Sequence, residues 1–463
     1  MIRAALHRWG MTSLRYSYVI LICLSVVPNG AQTDYAYFGS YALHALLFAV
    51  AAFVSIINPV TRRMVYAAIL IAVVFAAYCI FQSVPLPNRL FANSVWQLIS
   101  DQTIQPSWSI SIEPWTTIAA IPAFVGPLMI FATGLILHQQ DRAAQALWVR
   151  LALVGGVLAS VALVRHQLFP NAVLFGTPAR QDLSLTGNFY NRNNAAAFLG
   201  MVCFALFGII LMQLVRLDLR TLYKRIPSMT IFSDSATIRF VIYVIMLFFT
   251  MIALFLTRSR GGVSFSLTAL ALSVVIIILT LRGYRLGWKA RAGIAFLALL
   301  VASGAFLVYG GRTIVRLDDE GFDEARWCAA KSTFQAIQDY PMFGTGFGTF
   351  RTIFPIYRNV ECGIHGIWDR AHNTFLEGYL GLGFPFCLFL AILIWFIANG
   401  LIIGFCDRYR FKFISILTIG LIAYISMHSF VDFPLQIPGL AVYFSSLLSA
   451  GIAISIARRT VDR

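Results

Sequence analysis

Apolar residues in this chain fall into a long series of runs, at 15–27, 37–57, 64–81, 115–137, 151–164, 195–215, 240–256, 262–281, 292–308, 375–403, 413–427 and 437–456. Most approach the roughly 17 to 25 residues that a helix needs to cross a hydrocarbon core. Spanning strands would be far shorter and would alternate, and inside a bilayer the backbone must satisfy its own hydrogen bonds. The series therefore predicts an all-α polytopic membrane protein of about 12 transmembrane helices. Composition agrees: 59% of the 463 residues are hydrophobic and 12% charged, with a mean hydropathy of +0.79. Soluble domains carry about 25% charged residues, so an ordinary soluble globule is excluded.

The net charge of +16 would suggest a nucleic-acid partner in a soluble protein. Its distribution gives another reason. With both termini in the cytoplasm, the internal segments hold 22 of the 35 Lys and Arg and 5 of the 19 Asp and Glu. That is the positive-inside bias, and it calls for no nucleic acid. The first run is short, follows a basic stretch and precedes Pro28-Asn29-Gly30-Ala31, so a signal-peptide end is an alternative there. With no internal repeat, residues 1–463 read as one membrane domain.

Polar residues collect on the external side, above all in 310–372, between the ninth and tenth runs. A connector of that length is usually functional or disordered. Here Trp327, Ala330, Phe334 and Ile337 recur at helical spacing, which predicts an amphipathic helix over 323–338 that lies on the bundle. The following Gly344-Thr345-Gly346-Phe347-Gly348 lacks the Lys-Ser/Thr of a nucleotide loop and reads as a tight turn near the bundle. Cys328 and Cys362 share this external segment, where a disulfide is one alternative.

Three features there carry chemistry. Arg258 and Arg260, in Thr257-Arg258-Ser259-Arg260-Gly261-Gly262, stand at the outer surface against the positive-inside bias. They either snorkel to lipid headgroups or bind an anion, and a guanidinium fork suits a phosphate or diphosphate. His372, before the tenth run, could take a proton from a hydroxyl or simply hydrogen-bond at a helix start. His428 and Asp432 could orient each other or a sugar, or cap the last span. Glu361, Cys362, His365, Asp369 and His372 repeat no zinc pattern, so neither metal nor other cofactor is expected. Asp318, Asp319 and Glu320 read as a solvated face, and Ser259 lacks the context of a hydrolase nucleophile.

Five segments in order resemble the motifs of the O-antigen ligase and O-antigen polymerase family. They are Gly187 to Asn194, Thr257 to Gly262, Arg326-Trp327 through Asp339-Tyr340-Pro341 to Gly346, His372 to Glu377, and His428 to Pro438. The resemblance implies a helix bundle with a large periplasmic loop of amphipathic helices in the bacterial inner membrane. It implies transfer of a glycan from undecaprenyl diphosphate to an acceptor hydroxyl, inverting and without a metal, on lipid A-core (ligase) or a lipid-linked repeat (polymerase). Carried over, it places Arg260 and Arg326 on the donor diphosphate and makes His372 the base. Arg258, Asn188, Asn193 and Asn373 become supporting contacts.

Chemistry alone agrees with this reading. A lipid diphosphate is a good leaving group, so cationic stabilisation plus a base suffices. A 12-span secondary transporter is the alternative, but its polar residues belong near the membrane middle, and here they collect outside. A glycan-binding scaffold without turnover would tolerate loss of His372.

Overall fold

The computed structural model describes residues 2–87, 91–100, 107–169, 184–215, 235–280, 321–359, 366–407 and 411–457. The described elements are helices and short 3-10 turns, without a strand among them. In chain order they are α1 (Ile2–Val26), α2 (Asp34–Val54), α3 (Pro59–Ser83), α4 (Val95–Ser100), α5 (Pro114–Leu137), α6 (Asp141–Leu168), α7 (Arg192–Leu214) and α8 (Ser235–Leu256). After these come α9 (Arg260–Thr280), α10 (Gly321–Asp339), α11 (Phe350–Tyr357), α12 (Thr374–Leu382), α13 (Pro385–Asp407), α14 (Lys412–Ser429) and α15 (Pro438–Ile456).

Among the described residues, 10 helices are long and apolar enough to span a membrane, and α1 adds a shorter apolar stretch, Gly10–Val26. The predicted run 292–308 lies outside the described residues. Burial orders the spans from centre to rim. In α7 and α15, 89% and 94% of the spanning window is buried, against 22% in α2 and α8. Helices apolar all round and enclosed by protein form a core, and those with an outward apolar face meet lipid. Buried tyrosines tie the centre together through carbonyls of neighbouring helices. Tyr18 donates to Ile130 O at 2.9 Å, Tyr424 to Ala196 O at 2.9 Å and Tyr443 to Leu151 O at 2.9 Å.

A second, smaller core stands outside the spans, built from Ala325, Ala329, Ala336, Ile337, Phe350, Ile353, Phe354, Ala371 and Leu380. It corrects two expectations. The predicted amphipathic helix exists as α10, but Trp327 and Phe334 point outward and the alanine face packs inward. Alanines carry little weight in a hydropathy pattern, yet they let helices approach closely and so decide which face is buried. The predicted run 375–403 is also broken, into α12 and α13, at Gly383. Gly383 has φ +66°, and a Cβ there would meet Met342 O at 2.5 Å, so the chain turns sharply before Pro385. Leu380 of α12 consequently fills the small core rather than facing lipid.

The glycine segment is the tight turn expected of it. Gly344, Gly346 and Gly348 have φ of +70°, +104° and +86°, and Thr345 and Gly346 donate their N–H groups to Leu380 O and Gly381 O at 2.9 and 3.1 Å. Gln82 at the end of α3 donates to Phe343 O and Gly381 O at 2.7 and 2.8 Å. The small core is thereby pinned to the spans, and at the start of α12 Phe375 stands 4.4 Å, ring to ring, from Phe430 just past α14. Cys328 is disulfide-bonded; its expected partner, Cys362, lies outside the described residues.

Candidate functional site

Asn373 caps α12, its Oδ1 accepting from Phe375 N and Leu376 N at 3.0 Å each, and this fixes the turn that presents His372. One helical turn on, the buried Glu377 accepts from Ala371 N at 2.8 Å and from Arg370 Nη1 at 3.0 Å. Thr374 Oγ1 donates to Asp432 O at 3.2 Å, joining this turn to the one that follows α14. His372 itself has φ +52°, a left-handed conformation that a non-glycine residue adopts only where its surroundings over-determine it.

The joined turns bring His372 Nδ1 to 3.3 Å from Asp432 Oδ1. Asp432 is buried, and Oδ1 also accepts from Phe433 N at 3.0 Å. The imidazole stands edge to face with Trp368 and Phe433, with centroids 5.4 and 4.9 Å away. With Nδ1 turned to the carboxylate, Nε2 is the nitrogen left for a substrate.

Arg326, on α10, lies close enough for its charge to act on both Asp432 and His428. Burial pushes the Asp432 carboxyl up, but His372, then the charges of Arg326, His372 and His428, outweigh it and hold the group below its ordinary value. Asp432 is therefore a carboxylate at neutral pH.

Arg260 opens α9 beside Gly261, where a Cβ would stand 3.3 Å from Val431 Cγ2. The arginine segment thus touches the turn that carries Asp432. Ser259 Oγ donates to Asn193 Oδ1 at 2.8 Å and fastens that segment to the first turn of α7, which is capped by Asn191. Arg258 is exposed, with φ +53°. Asn188 is buried in the turn before α7, which Arg165 holds through a 2.6 Å bond from Nη1 to Gly187 O.

His372, Asp432, His428 and Arg326 are therefore together, with Arg260 on the adjoining turn. Arg258 lies on the same segment, and Asn193 is bonded to it from the first turn of α7. His428 and Asp432 are both buried, a position suited to orienting His372 rather than to meeting a sugar. Sequence reasoning gives Glu377, Thr374 and Arg165 no individual role. For Glu377 a signal existed, a lone acid in the first turn of an apolar run. Among the described residues no three His, Cys, Asp or Glu side chains form a metal cluster. Of the candidates, Asp369 pairs with Arg351 at 3.3 Å, while Glu361, Cys362 and His365 lie outside the described residues.

Residues 244–391 match the family model described as O-antigen ligase. The matched stretch contains Arg258, Arg260, Arg326 and His372 and ends before His428 and Asp432. No curated protein matches the chain. The family match supports the O-antigen ligase and polymerase family for this multi-pass protein and, with it, glycan transfer as its general chemistry.

Proposed function

We propose that this protein transfers a glycan from undecaprenyl diphosphate to a hydroxyl of an acceptor sugar at the periplasmic face of the bacterial inner membrane, without a metal and with inversion. The acceptor is lipid A-core if the protein is a ligase, and a lipid-linked repeat if it is a polymerase. The observation that carries the reading is the buried Asp432 carboxylate 3.3 Å from His372 Nδ1, within reach of the Arg326 charge.

In the reaction, His372 Nε2 takes the proton of the acceptor hydroxyl as its oxygen attacks the anomeric carbon. The bond from that carbon to the diphosphate oxygen breaks on the opposite face, which inverts the centre. The leaving lipid diphosphate keeps the electron pair, and its growing charge falls to Arg260 and Arg326, with Arg258 in support. Asp432 holds the imidazole in the required tautomer and stabilises the imidazolium that forms. His428, Asn188, Asn193 and Asn373 shape the surrounding turns; the Nδ2 groups of Asn193 and Asn373 remain able to donate to substrate, since their Oδ1 atoms are already engaged.

Purified protein incubated with short lipid-linked repeats, with and without lipid A-core, tests this reading. A product ladder without the core assigns a polymerase, and a single transfer that requires the core assigns a ligase. Transfer by His372→Ala at the wild-type rate would remove the proposed base.

A further inference from the structure

A groove of about 540 Å³ opens on the flank of the bundle between α6 and α8. Its wall is a stripe of exposed valines, Val157, Val161 and Val164, at helical spacing on α6. At one end the helices close on each other, since Met246 of α8 packs on the bare backbone of Gly156. The hydroxyl of Ser160, which also lines the groove, is already spent on Gly156 O at 2.9 Å, so the wall makes no polar demand. From Val157 to Arg165 a rise of about 1.5 Å per residue gives a channel about 12 Å long.

The other end is cationic. Arg165 lines it and holds Gly187 O, one residue before Asn188. The charge of Arg258 reaches the neighbouring His166. Among the described residues, no acidic side chain lines the groove. An apolar trough between spanning helices, headed by guanidinium groups, complements a lipid chain that carries a phosphate.

We propose that the α6–α8 groove holds the phosphate-proximal isoprenoid segment of the polyprenyl diphosphate donor, with Arg165 and Arg258 at its head. This assignment rests on the transfer reading above, and continuity favours the donor over a membrane phospholipid. Arg258 belongs to the same short segment as Arg260, and its charge reaches His166 beside the groove-lining Arg165, so the head of the groove and the proposed diphosphate site share that segment. Two guanidinium groups also match a diphosphate better than a singly charged phosphodiester.

The test is equilibrium binding of glycan-free undecaprenyl diphosphate to the full-length protein in phosphatidylcholine nanodiscs, read by native mass spectrometry. Val161→Trp and Val164→Trp each fill the groove, and thermal melts establish that they fold. The expected result is about tenfold weaker binding in either variant, with no change in Val73→Trp, a lipid-exposed position on α3. Wild-type binding in a folded groove variant overturns the proposal, and so does an equal loss in Val73→Trp. Loss of a co-purifying phospholipid with undiminished probe binding also overturns it and assigns the groove to that lipid. Because the probe carries no glycan, its binding is read independently of transfer: a protein that binds the probe but transfers nothing from a glycan-bearing donor counts against the transfer reading alone. Turnover with unchanged binding in the groove variants counts against the groove alone.

Discussion

The carboxylate of Glu377 accepts the backbone N–H of Ala371 at 2.8 Å, one residue before the candidate base. A helix that starts at Thr374 thus reaches back to fix the left-handed turn at His372, and α12 serves as the mount of the imidazole. Glu377→Ala strands a buried N–H and removes the partner of Arg370, at a cost of about 1–3 kcal/mol. The expected outcome is a lower melting temperature together with a fall in kcat. Glu377→Gln, which can still accept from Ala371, should recover most of the stability, and a melt series of the three proteins measures it.

Asp432→Asn preserves shape but removes the charge that faces His372 Nδ1. Transfer should fall by about a hundredfold or more, with KM for the acceptor little changed. Single-turnover rates with saturating donor check this. A wild-type rate in the folded variant would detach Asp432 from the chemistry.

The same carboxyl gives a pH signature. Its folded value is held below the ordinary 3.8, so its contribution to stability is complete above 3.8 and disappears as pH falls through the lowered value. Melting temperatures of wild type and Asp432→Asn should therefore differ by a constant amount near neutrality and converge below about pH 4. A gap that persists unchanged to pH 3 would contradict the ionised state assigned to Asp432.

Much of the bundle was legible because runs of about twenty apolar residues have few other uses. What escaped was the distinction between apolar residues that face lipid and those that face protein. Hydropathy is the same for both, so it assigns Leu380 to a span although this residue fills the external core, and it carries no sign of the break at Gly383. On α10 the eye follows Trp327 and Phe334, although the alanines opposite them make the contact. The charged candidates were legible one by one, since a cation on the outer side or an isolated histidine is conspicuous. Their grouping was not, because the 3.3 Å approach of His372 to Asp432 depends on two turns far apart in sequence, joined by Thr374.

Arg260→Lys and Arg326→Lys keep the charge and lose the planar fork. Each should lower kcat/KM by about 10- to 100-fold on a diphosphate-linked donor. Arg326→Lys should do so even at saturating acceptor, since its charge also acts on Asp432. Turnover should be unaffected by EDTA, because in the proposed scheme the arginines take the place a metal would fill. Kinetics of both variants with and without chelator test the pair of statements, and abolition of wild-type activity by EDTA would reject the metal-free scheme.

Two glycines separate backbone strain from crowding. Gly344 and Gly366 both have positive φ, +70° and +79°, but a Cβ at Gly344 would stand 2.5 Å from Gly381 O, whereas at Gly366 it meets nothing within 4 Å. Gly366→Ala should therefore cost only the left-handed backbone term, about 1 kcal/mol. Gly344→Ala adds a clash with backbone that cannot rotate away, at the seam where α3, the glycine turn and α12 meet, and should cost about 3 kcal/mol or more. Because that seam positions α12, the Gly344 variant should also lose transfer activity out of proportion to its melting temperature, while the Gly366 variant keeps it. Parallel melts and rates of the two alanine variants decide the matter: equal losses would mean that the seam at Gly344 does not support the His372 turn.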